Sequence, residues 1–545
     1  MKGNHGKKTA MLVTSMLVAV MSMGQNLQQS IQLTKNEQFE KADRAFKSLI
    51  NAKPDNGDNY FYEGENFFAW GKMDSAEAAY TKGIKMNATA PLNYAGLGKV
   101  RLYQGQDASD NFYKAKTLSK SKDATVLAKI AEAYTGATPP NRDLKQALDL
   151  LSQAVQLDSK NADIYIDLGD AQWASDPTNA SNAIASYEKA LKLDSKNVIA
   201  ILREGMIYQS AANWDLSFQY YQKASQLDST FAPAYRQKAE MLAASGRADD
   251  AVAQYKKYLA LNDALSARSR YGKFLFLAKK YDDAITEIQK VIAKDSSDPV
   301  LYRILAYSQF EKKDYKNGLV SITKFFAKAA NSNTKMLASD YTYYGRILNK
   351  NGQDSLAIVK MSQGATMLIS QGASNDASDI YYQMGTIDYL DNNCSGAMMY
   401  FNKRIQTNPN DVNTYYYLGK AAYDCKNYQA ADSAFSSVIA KRSDLLIGYQ
   451  WKAYAEEAID SNCETGLAIP ICNQYIQKIG ADTIKNKDGL IASFSYLGRC
   501  SIAKKDMEGA KVWFKRIQGL DPANAQAKLF FDSLRQPVKK PEGKK

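Results

Sequence analysis

Small and large apolar residues recur along this chain in a pattern with a period of about 34 residues. A small residue is followed four positions later by a large one, so both lie on the same face of a helix. The small position holds Ala42, Ala76, Ala147, Ala183, Ser217, Ala251, Ala284, Gly318, Ala357, Ala397, Ala431 and Ala510. A fixed period of this size predicts a helical-repeat solenoid, in which each repeat buries its apolar face against its neighbours.

A glycine near the middle of the preceding helix completes the pattern. Glycine costs about 1 kcal/mol in a helix interior, so its recurrence indicates close packing of two antiparallel helices. The glycines are Gly98, Gly169, Gly205, Gly272, Gly345, Gly385, Gly419 and Gly498. The large residues predicted to fill the space beside them are Phe46, Tyr80, Tyr187, Tyr221, Tyr255, Phe401, Phe435 and Phe514. We therefore expect these residues to form the core.

In this register the chain resembles the tetratricopeptide repeat (TPR) family over roughly residues 26–536. The resemblance implies an all-α fold, a right-handed α-solenoid of about fourteen helix-turn-helix repeats, with a C-terminal capping helix over Ala525 to Arg535. Polar insertions predict loops at Thr135–Asp143, Ala329–Met336 and Ser370–Asp376. We expect an N-terminal array over 25–330, a C-terminal array over 331–536, and a basic disordered tail over 537–545.

The first 24 residues have the three regions of a secretory signal peptide. Lysines precede an apolar run from Ala10 to Val20, and Ser22 and Gly24 place small residues before a cut at Gln25. The run is short for a membrane span, which needs about 20 residues, although an uncleaved N-terminal anchor remains the alternative. No cysteine lies near the cut, so a lipoprotein is excluded. These features predict an exported, periplasmic or envelope-associated protein.

Export allows the five cysteines to form disulfides. Cys394 opens one second helix and Cys425 ends the next first helix, at turns that are neighbours in stacked repeats, which predicts a Cys394–Cys425 bond. Cys463 and Cys500 have a similar relation one stage later. The alternative is that all five are small buried residues.

Composition argues against catalysis and against metal or cofactor binding. The only histidine, His5, lies in the predicted signal peptide, so the mature chain lacks the commonest general base and metal ligand. No phosphate-binding or dinucleotide-binding glycine motif is in a suitable context. The formal net charge of +13 favours anionic partners, and the export signal argues against nucleic acid.

In TPR proteins the first helices line the concave groove, and the resemblance implies which positions face it. The row of groove residues read onto this chain is Arg236, Lys273, Arg303, Tyr307, Arg346, Tyr382, Tyr389, Tyr416, Lys420, Tyr423 and Arg499. It is basic and aromatic, which is typical of binding anchors, while Glu65 and Asp170 make the N-terminal part more acidic. The convex face, the insertions and the tail are alternative binding surfaces.

The sequence thus predicts a non-catalytic protein–protein interaction scaffold of the bacterial cell envelope. Its expected partners are other envelope proteins with acidic segments, and association with membrane-bound complexes is compatible with this location. The alternative is a glycan- or peptidoglycan-binding envelope adaptor, since the chain has 36 tyrosines.

Overall fold

A computed structural model describes residues 26–535, so the predicted signal peptide (1–24) and the predicted tail (537–545) lie outside the described residues. Between residues 26 and 535 the chain forms fourteen antiparallel helix pairs and one final helix, with no β-strand. The predicted all-α repeat solenoid is therefore confirmed. The chain divides into two compact units, unit 1 ending at Ser308 and unit 2 beginning at Gln309.

Unit 1 contains the first eight helix pairs and most of the ninth first helix. Its helices are α1 (26–35), α2 (Phe39–Ala52), α3 (Gly57–Ala69), α4 (Met73–Met86), α5 (Pro91–Tyr103), α6 (Ser109–Leu118), α7 (Ala124–Gly136), α8 (Leu144–Leu157), α9 (Ala162–Ser175), α10 (Ser181–Leu193), α11 (Val198–Ser210), α12 (Trp214–Leu227), α13 (Ala232–Ala244), α14 (Ala248–Leu261), α15 (Leu265–Leu277), α16 (Tyr281–Lys294) and α17 (Pro299–Glu311). The boundary between the units falls within α17.

Unit 2 contains the later pairs and the capping helix. Its helices are α18 (Tyr315–Ala329), α19 (Ala338–Lys350), α20 (Asp354–Ser370), α21 (Ser374–Leu390), α22 (Cys394–Thr407), α23 (Val412–Asp424), α24 (Tyr428–Lys441), α25 (Leu446–Ile459), α26 (Ile469–Ile479), α27 (Lys487–Ala503), α28 (Met507–Leu520) and α29 (Ala525–Arg535). The expected capping helix at Ala525–Arg535 is confirmed.

The glycine and aromatic positions of the repeat meet inside each helix pair. A Cβ atom added at Gly419 in α23 would lie 2.7 Å from the ring of Phe435 in α24, and Gly385 has the same relation to Phe401 at 2.8 Å. Both rings are fully buried. The glycine is therefore required because the ring of the partner helix occupies the space that any side chain would need.

Side-chain caps start many of the helices. Asn56 accepts a hydrogen bond from the backbone N–H of Asp58, and Asp123 accepts from those of Thr125 and Val126. These contacts satisfy N–H groups that the first turn of a helix leaves unpaired.

A search of residues 26–535 for a helix with the length and hydrophobicity of a membrane span finds none.

One predicted loop is wrong. The insertion at Ser370–Asp376 does not lengthen the connection, because α20 continues to Ser370 and α21 begins at Ser374, each helix having 17 residues. Its polar residues are exposed on helix ends, where the backbone still makes its helical hydrogen bonds. The loops at Thr135–Asp143 and Ala329–Met336 contain the predicted connections, after α7 and α18. The predicted division near residue 330 stays a prediction.

Candidate functional site: the inner face of unit 1

In unit 1, the predicted groove residues differ in burial. Lys273 is exposed and Arg303 is half-buried. Tyr307 is buried, with its ring centroid 5.8 Å from that of Phe276. Tyr307 therefore packs inside the unit.

Arg236 is engaged within unit 1 by two carboxylates. Its guanidinium donates to Glu37 at 2.7 Å and lies 3.6 Å from Glu240. Burial lowers the pKa of Arg236, but Glu37 and then Glu240 outweigh that effect and raise it above its ordinary value. A partner carboxylate would have to compete with both.

In unit 2, several predicted groove residues contact side chains of the next repeat. The ring of Tyr382 lies 5.9 Å from that of Tyr417, and Tyr423 lies 5.3 Å from Trp451. The Lys420 ammonium lies 3.6 Å from the Trp451 ring centroid.

The remaining predicted groove residues of unit 2 are also half-buried. Tyr389 donates to Asp424 at 2.7 Å, Arg346 donates to the Gln383 side chain at 2.8 Å, Tyr416 packs on Phe435 with centroids 6.2 Å apart, and Arg499 is paired with Glu457. Much of the predicted basic–aromatic row of unit 2 thus consists of contacts between adjacent repeats, and its role in binding stays a prediction.

The cysteines of unit 2 are paired as the sequence predicts. Cys394 and Cys425 are joined with Cα atoms 5.9 Å apart, and Cys463 and Cys500 with Cα atoms 5.1 Å apart. Both distances are in the range that a disulfide needs. Cys472, in α26, is a buried free thiol, and burial raises its pKa to about 12.

A cavity of about 520 Å³ lies on the inner face of unit 1. The first helices of six successive repeats line it: α1, α3, α5, α7, α9 and α11. Its volume is in the range of sites that bind small ligands or side chains. Its charged residues are Lys35, Lys99, Lys129 and Arg203, and Glu65, Glu132, Asp163, Asp167 and Asp170.

The centre of this cavity wall is a network of half-buried carboxylates and cations around the buried Lys99. The Lys99 ammonium lies 2.6 Å from Glu132 and 3.1 Å from Glu65, and Lys129 lies 2.6 Å from the second oxygen of Glu132. Burial lowers the pKa of Lys99, but Glu132 and Glu65 outweigh it and raise that pKa above its ordinary value. Burial likewise opposes ionisation of Glu132, yet Lys129 and Lys99 hold the pKa of Glu132 below its ordinary value.

Two further ion pairs extend the charged wall. Arg203 donates to both oxygens of Asp170, at 2.8 and 3.0 Å, and the Tyr187 hydroxyl donates to the same carboxylate at 2.6 Å. On the opposite side, Lys35 of α1 lies 2.8 Å from Asp163 of α9. The wall is thus fixed by contacts between repeats.

The turn between α1 and α2 connects the first repeat to the sixth and seventh. We define this N-terminal turn as Asn36–Gln38. Glu37, at φ 54°, accepts hydrogen bonds from Arg236 at 2.7 Å and from the Tyr258 hydroxyl at 2.8 Å. The Asn36 and Gln38 side chains donate to the side chain and carbonyl of Thr230 at 3.0 and 3.2 Å. These contacts close unit 1 on itself beside the cavity.

The sequence pattern indicated Glu65 and Asp170 as acidic residues of the groove, but it missed Lys35, Lys129, Glu132, Asp167 and Arg203. A signal for part of this set is present in the sequence. Opposite charges stand at corresponding positions of successive first helices, as in Glu65, Lys99 and Glu132. Such charges can pair between neighbouring repeats, because each repeat contacts the next.

The inner face offers charge and shape for recognition. No group of His, Cys, Asp or Glu among residues 26–535 is arranged to hold a metal ion. What the cavity presents is a row of fixed carboxylates and cations, with the aromatic rings of Tyr62, Phe68 and Tyr103 beside them. Such a surface can bind a polar or charged group by hydrogen bonds and ion pairs.

Comparison with known proteins identifies the repeat. Residues 236–299 match the sequence profile of the family described as Tetratricopeptide repeat. The C-terminal part of a TPR repeat-containing protein from Cytophaga hutchinsonii, whose crystal structure is solved, is 33% identical, and the match covers 49% of this chain and 100% of that chain with a TM-score of 0.39. A tetratricopeptide repeat protein from Parabacteroides merdae is 16% identical, with 47% and 98% coverage and a TM-score of 0.36.

One curated relative adds a partial match. Cellulose synthase operon protein C of Xanthomonas axonopodis pv. citri is 30% identical over 167 residues, which are 28% of this chain. The chain spans 11% of the length of that relative. The family model matches α13 to α16, and a whole solved chain of the family is 33% identical. This chain therefore belongs to the tetratricopeptide repeat family.

Proposed function

We propose that this protein is an exported, non-catalytic scaffold of the bacterial cell envelope that holds other proteins on the inner face of its first helices. Proteins of its family bind other proteins, and their fold is typically non-catalytic. The single observation that locates the proposed binding site is the cavity of unit 1, which is lined by fixed charges. The envelope location rests on the predicted signal peptide.

The charge network supports binding at this face over a purely structural role. Lys99 is 6% exposed and has two carboxylate partners, Glu65 and Glu132. Buried ion pairs contribute little net stability compared with apolar packing, because desolvation offsets their attraction. A network of this kind on the wall of a cavity instead supplies fixed charges at which a polar partner group can be oriented.

A matched pair of cavity-filling and control variants tests this proposal. Ala69, the last residue of α3, is exposed and lines the cavity, whereas Ala78 is exposed on α4 of the same repeat and does not. The full-length tagged protein is produced in its source bacterium and purified from the envelope with its associated proteins, which mass spectrometry quantifies. We expect Ala69→Trp to lose specific partners that wild type and Ala78→Trp retain, because tryptophan occupies the cavity.

Equal recovery of every associated protein with Ala69→Trp and Ala78→Trp would contradict the inner face as the binding surface. The export part is tested separately by intact mass of the purified envelope protein. We expect a chain that begins at Gln25; a chain that retains Met1 in the cytosolic fraction would overturn the envelope location.

For unit 2, the sequence-based proposal is that Arg346 and Lys420 attract acidic segments of envelope proteins. Long-range attraction of this kind raises association rates and weakens with salt. We expect Arg346→Ala to slow association of an acidic partner at low ionic strength. An association rate unchanged by this substitution would favour the convex face, the insertions or the basic tail.

The second candidate function is a glycan- or peptidoglycan-binding adaptor. The name of the partly matching relative, Cellulose synthase operon protein C, refers to a glycan, and the match covers 28% of this chain. Co-sedimentation of the purified protein with insoluble cellulose and with peptidoglycan sacculi tests it. Saturable co-sedimentation that Ala69→Trp abolishes and Ala78→Trp retains would favour this function over protein binding.

A further inference from the structure

The cavity of unit 1 has one more carboxylate than cations. Its four cations all have carboxylate partners: Lys35 with Asp163, Lys99 with Glu65 and Glu132, Lys129 with Glu132, and Arg203 with Asp170. The fifth carboxylate, Asp167, has neither an ion pair nor a hydrogen bond from its side chain to any other residue between 26 and 535. The arrangement therefore leaves one carboxyl group on the wall without a partner.

Asp167 lies on α9, one turn from both Asp163 and Asp170 on the same helix. Lys129 and Glu132 of α7 face Asp167. The Lys129 ammonium, however, is already 2.6 Å from Glu132. Burial raises the pKa of Asp167 to about 8, Lys129 opposes this rise, and Glu132, Asp170 and Asp163 add to it. A half-buried carboxylate in such a site gains from an opposite charge that arrives with a ligand.

The rest of the wall suits a cation on an apolar stem. The rings of Tyr62, Phe68 and Tyr103 line the cavity together with aliphatic side chains. Phe68 already has a cation over its ring, since the Lys99 ammonium lies 4.2 Å from its centroid. Aromatic faces attract ammonium and guanidinium groups, and long basic side chains bury their methylene stems against apolar surface.

We propose that the cavity of unit 1 is a recognition site for one ammonium or guanidinium group, carried by a lysine or arginine side chain of the bound protein and placed against Asp167. This inference rests on the proposed function, because it names the chemistry of the partner group that the inner face takes. The site differs from the basic–aromatic row of unit 2, which the sequence predicts to attract acidic segments.

The test uses the full-length mature protein and two capped tripeptides. The probe is acetyl-Gly-Lys-Gly-amide, and its matched control carries an acetylated lysine, which removes the charge. Binding is measured by protein-detected NMR at millimolar peptide. The protein variants are Asp167→Asn, which keeps the shape of the side chain, and Asp249→Asn, which removes an exposed carboxylate of α14 that is 2.9 Å from Lys280 and outside the cavity.

We expect the lysine tripeptide to bind wild type and Asp249→Asn with equal affinity, and at least tenfold more weakly to Asp167→Asn. Binding should tighten from pH 6 to pH 9, because Asp167 must lose its proton while the lysine remains charged. Equal affinity for Asp167→Asn, equal binding of the acetylated tripeptide, or no binding to wild type would each overturn the inference.

The capture experiment separates this inference from the proposed function. If Ala69→Trp loses envelope partners while Asp167→Asn retains them all, the scaffold function stands and the cation site falls. If neither variant loses a partner, the inner face of unit 1 is not the binding surface. Loss of partners with both variants, together with weaker binding of the lysine tripeptide to Asp167→Asn, supports both the scaffold function and the cation site.

Discussion

Glu37 and Arg236 are separated by 199 residues in the sequence and form an ion pair of 2.7 Å. The two side chains are 18% and 20% exposed, so the pair is largely withdrawn from water. Glu37 belongs to the N-terminal turn and Arg236 to α13 of the seventh repeat. In a solenoid a repeat ordinarily contacts only its neighbours. This pair, together with the Lys35–Asp163 pair, instead joins non-neighbouring repeats of unit 1 beside its cavity.

We expect Glu37→Gln to lower the free energy of unfolding of unit 1 by about 1 to 3 kcal/mol, because a charged acceptor of three hydrogen bonds is lost from a half-buried site. Hydrogen exchange measured by mass spectrometry should show faster exchange in the N-terminal turn and in α13 and α14. The control is Asp250→Asn, because both side chains of the Asp250–Arg247 pair are more than half exposed. This substitution should change the free energy of unfolding by less than about 0.5 kcal/mol. Unchanged exchange in Glu37→Gln would show that the turn does not hold unit 1 closed.

Asp167 predicts a dependence of stability on pH. The unfolded chain releases this proton near pH 4, while the folded chain holds it until the pKa of about 8. The folded state binds more protons in this window, so the contribution of Asp167 falls as pH rises. When the pH is raised from 5 to 9, the free energy of unfolding of Asp167→Asn should increase relative to that of wild type by on the order of 1 to 3 kcal/mol. Urea unfolding at both pH values measures it, and parallel pH profiles for the two proteins would contradict it.

A pair of glycines tests the packing inside the repeat. A Cβ atom at Gly419 would lie 2.7 Å from the Phe435 ring, whereas one at Gly519 in α28 would meet no atom within 4 Å. We expect Gly419→Ala to destabilise unit 2 by about 1 to 3 kcal/mol through overpacking. Gly519→Ala should be neutral or stabilise by up to about 1 kcal/mol, since alanine is the better helix former. Thermal or urea unfolding compares them, and similar effects of both substitutions would refute the packing account.

The two disulfides predict a simple thiol count. Of the five cysteines, Cys472 alone is free and it is buried. Alkylation of the denatured protein without reductant should modify one thiol per chain, and after reduction five. Removing the Cys394–Cys425 bond by a double Cys→Ser substitution should lower the free energy of unfolding by about 3 kcal/mol, because the bond no longer restricts a loop of 31 residues in the unfolded chain. Five thiols without reductant, in protein isolated from the envelope, would contradict both bonds and weaken the argument for export.

Much of the local structure could be predicted from the sequence. Aromatic residues stand at the start of five second helices: Phe39, Trp214, Tyr281, Tyr315 and Tyr428 are the first residues of α2, α12, α16, α18 and α24. The buried rings of Tyr187 and Phe435 stand where the 34-residue register places them. These features depend on contacts within one repeat or between neighbours, which periodicity records.

The candidate site could be predicted only in part. Glu65 and Asp170 were marked as acidic positions, but the pairing of Glu37 with Arg236 depends on the summed small rotations of six repeats, which no local pattern encodes. The helical ends at Ser370 and Ser374 were missed because polar composition favours loops only on average. Asp167 was missed because its importance lies in its side chain having no ion pair or hydrogen bond of its own within residues 26–535, and a sequence alone does not show which residues are in contact.

Site-specific photo-crosslinking shows whether unit 1 holds a protein on its inner face. A photoreactive phenylalanine analogue is placed at Thr125 of α7, which lines the cavity, or at Tyr113 of α6, which is 70% exposed and does not line it. After irradiation of intact cells, we expect discrete protein adducts at position 125, and we expect these adducts to be absent at position 113. Adducts at position 113 alone, or none at position 125 while the protein still co-purifies with its partners, would contradict it.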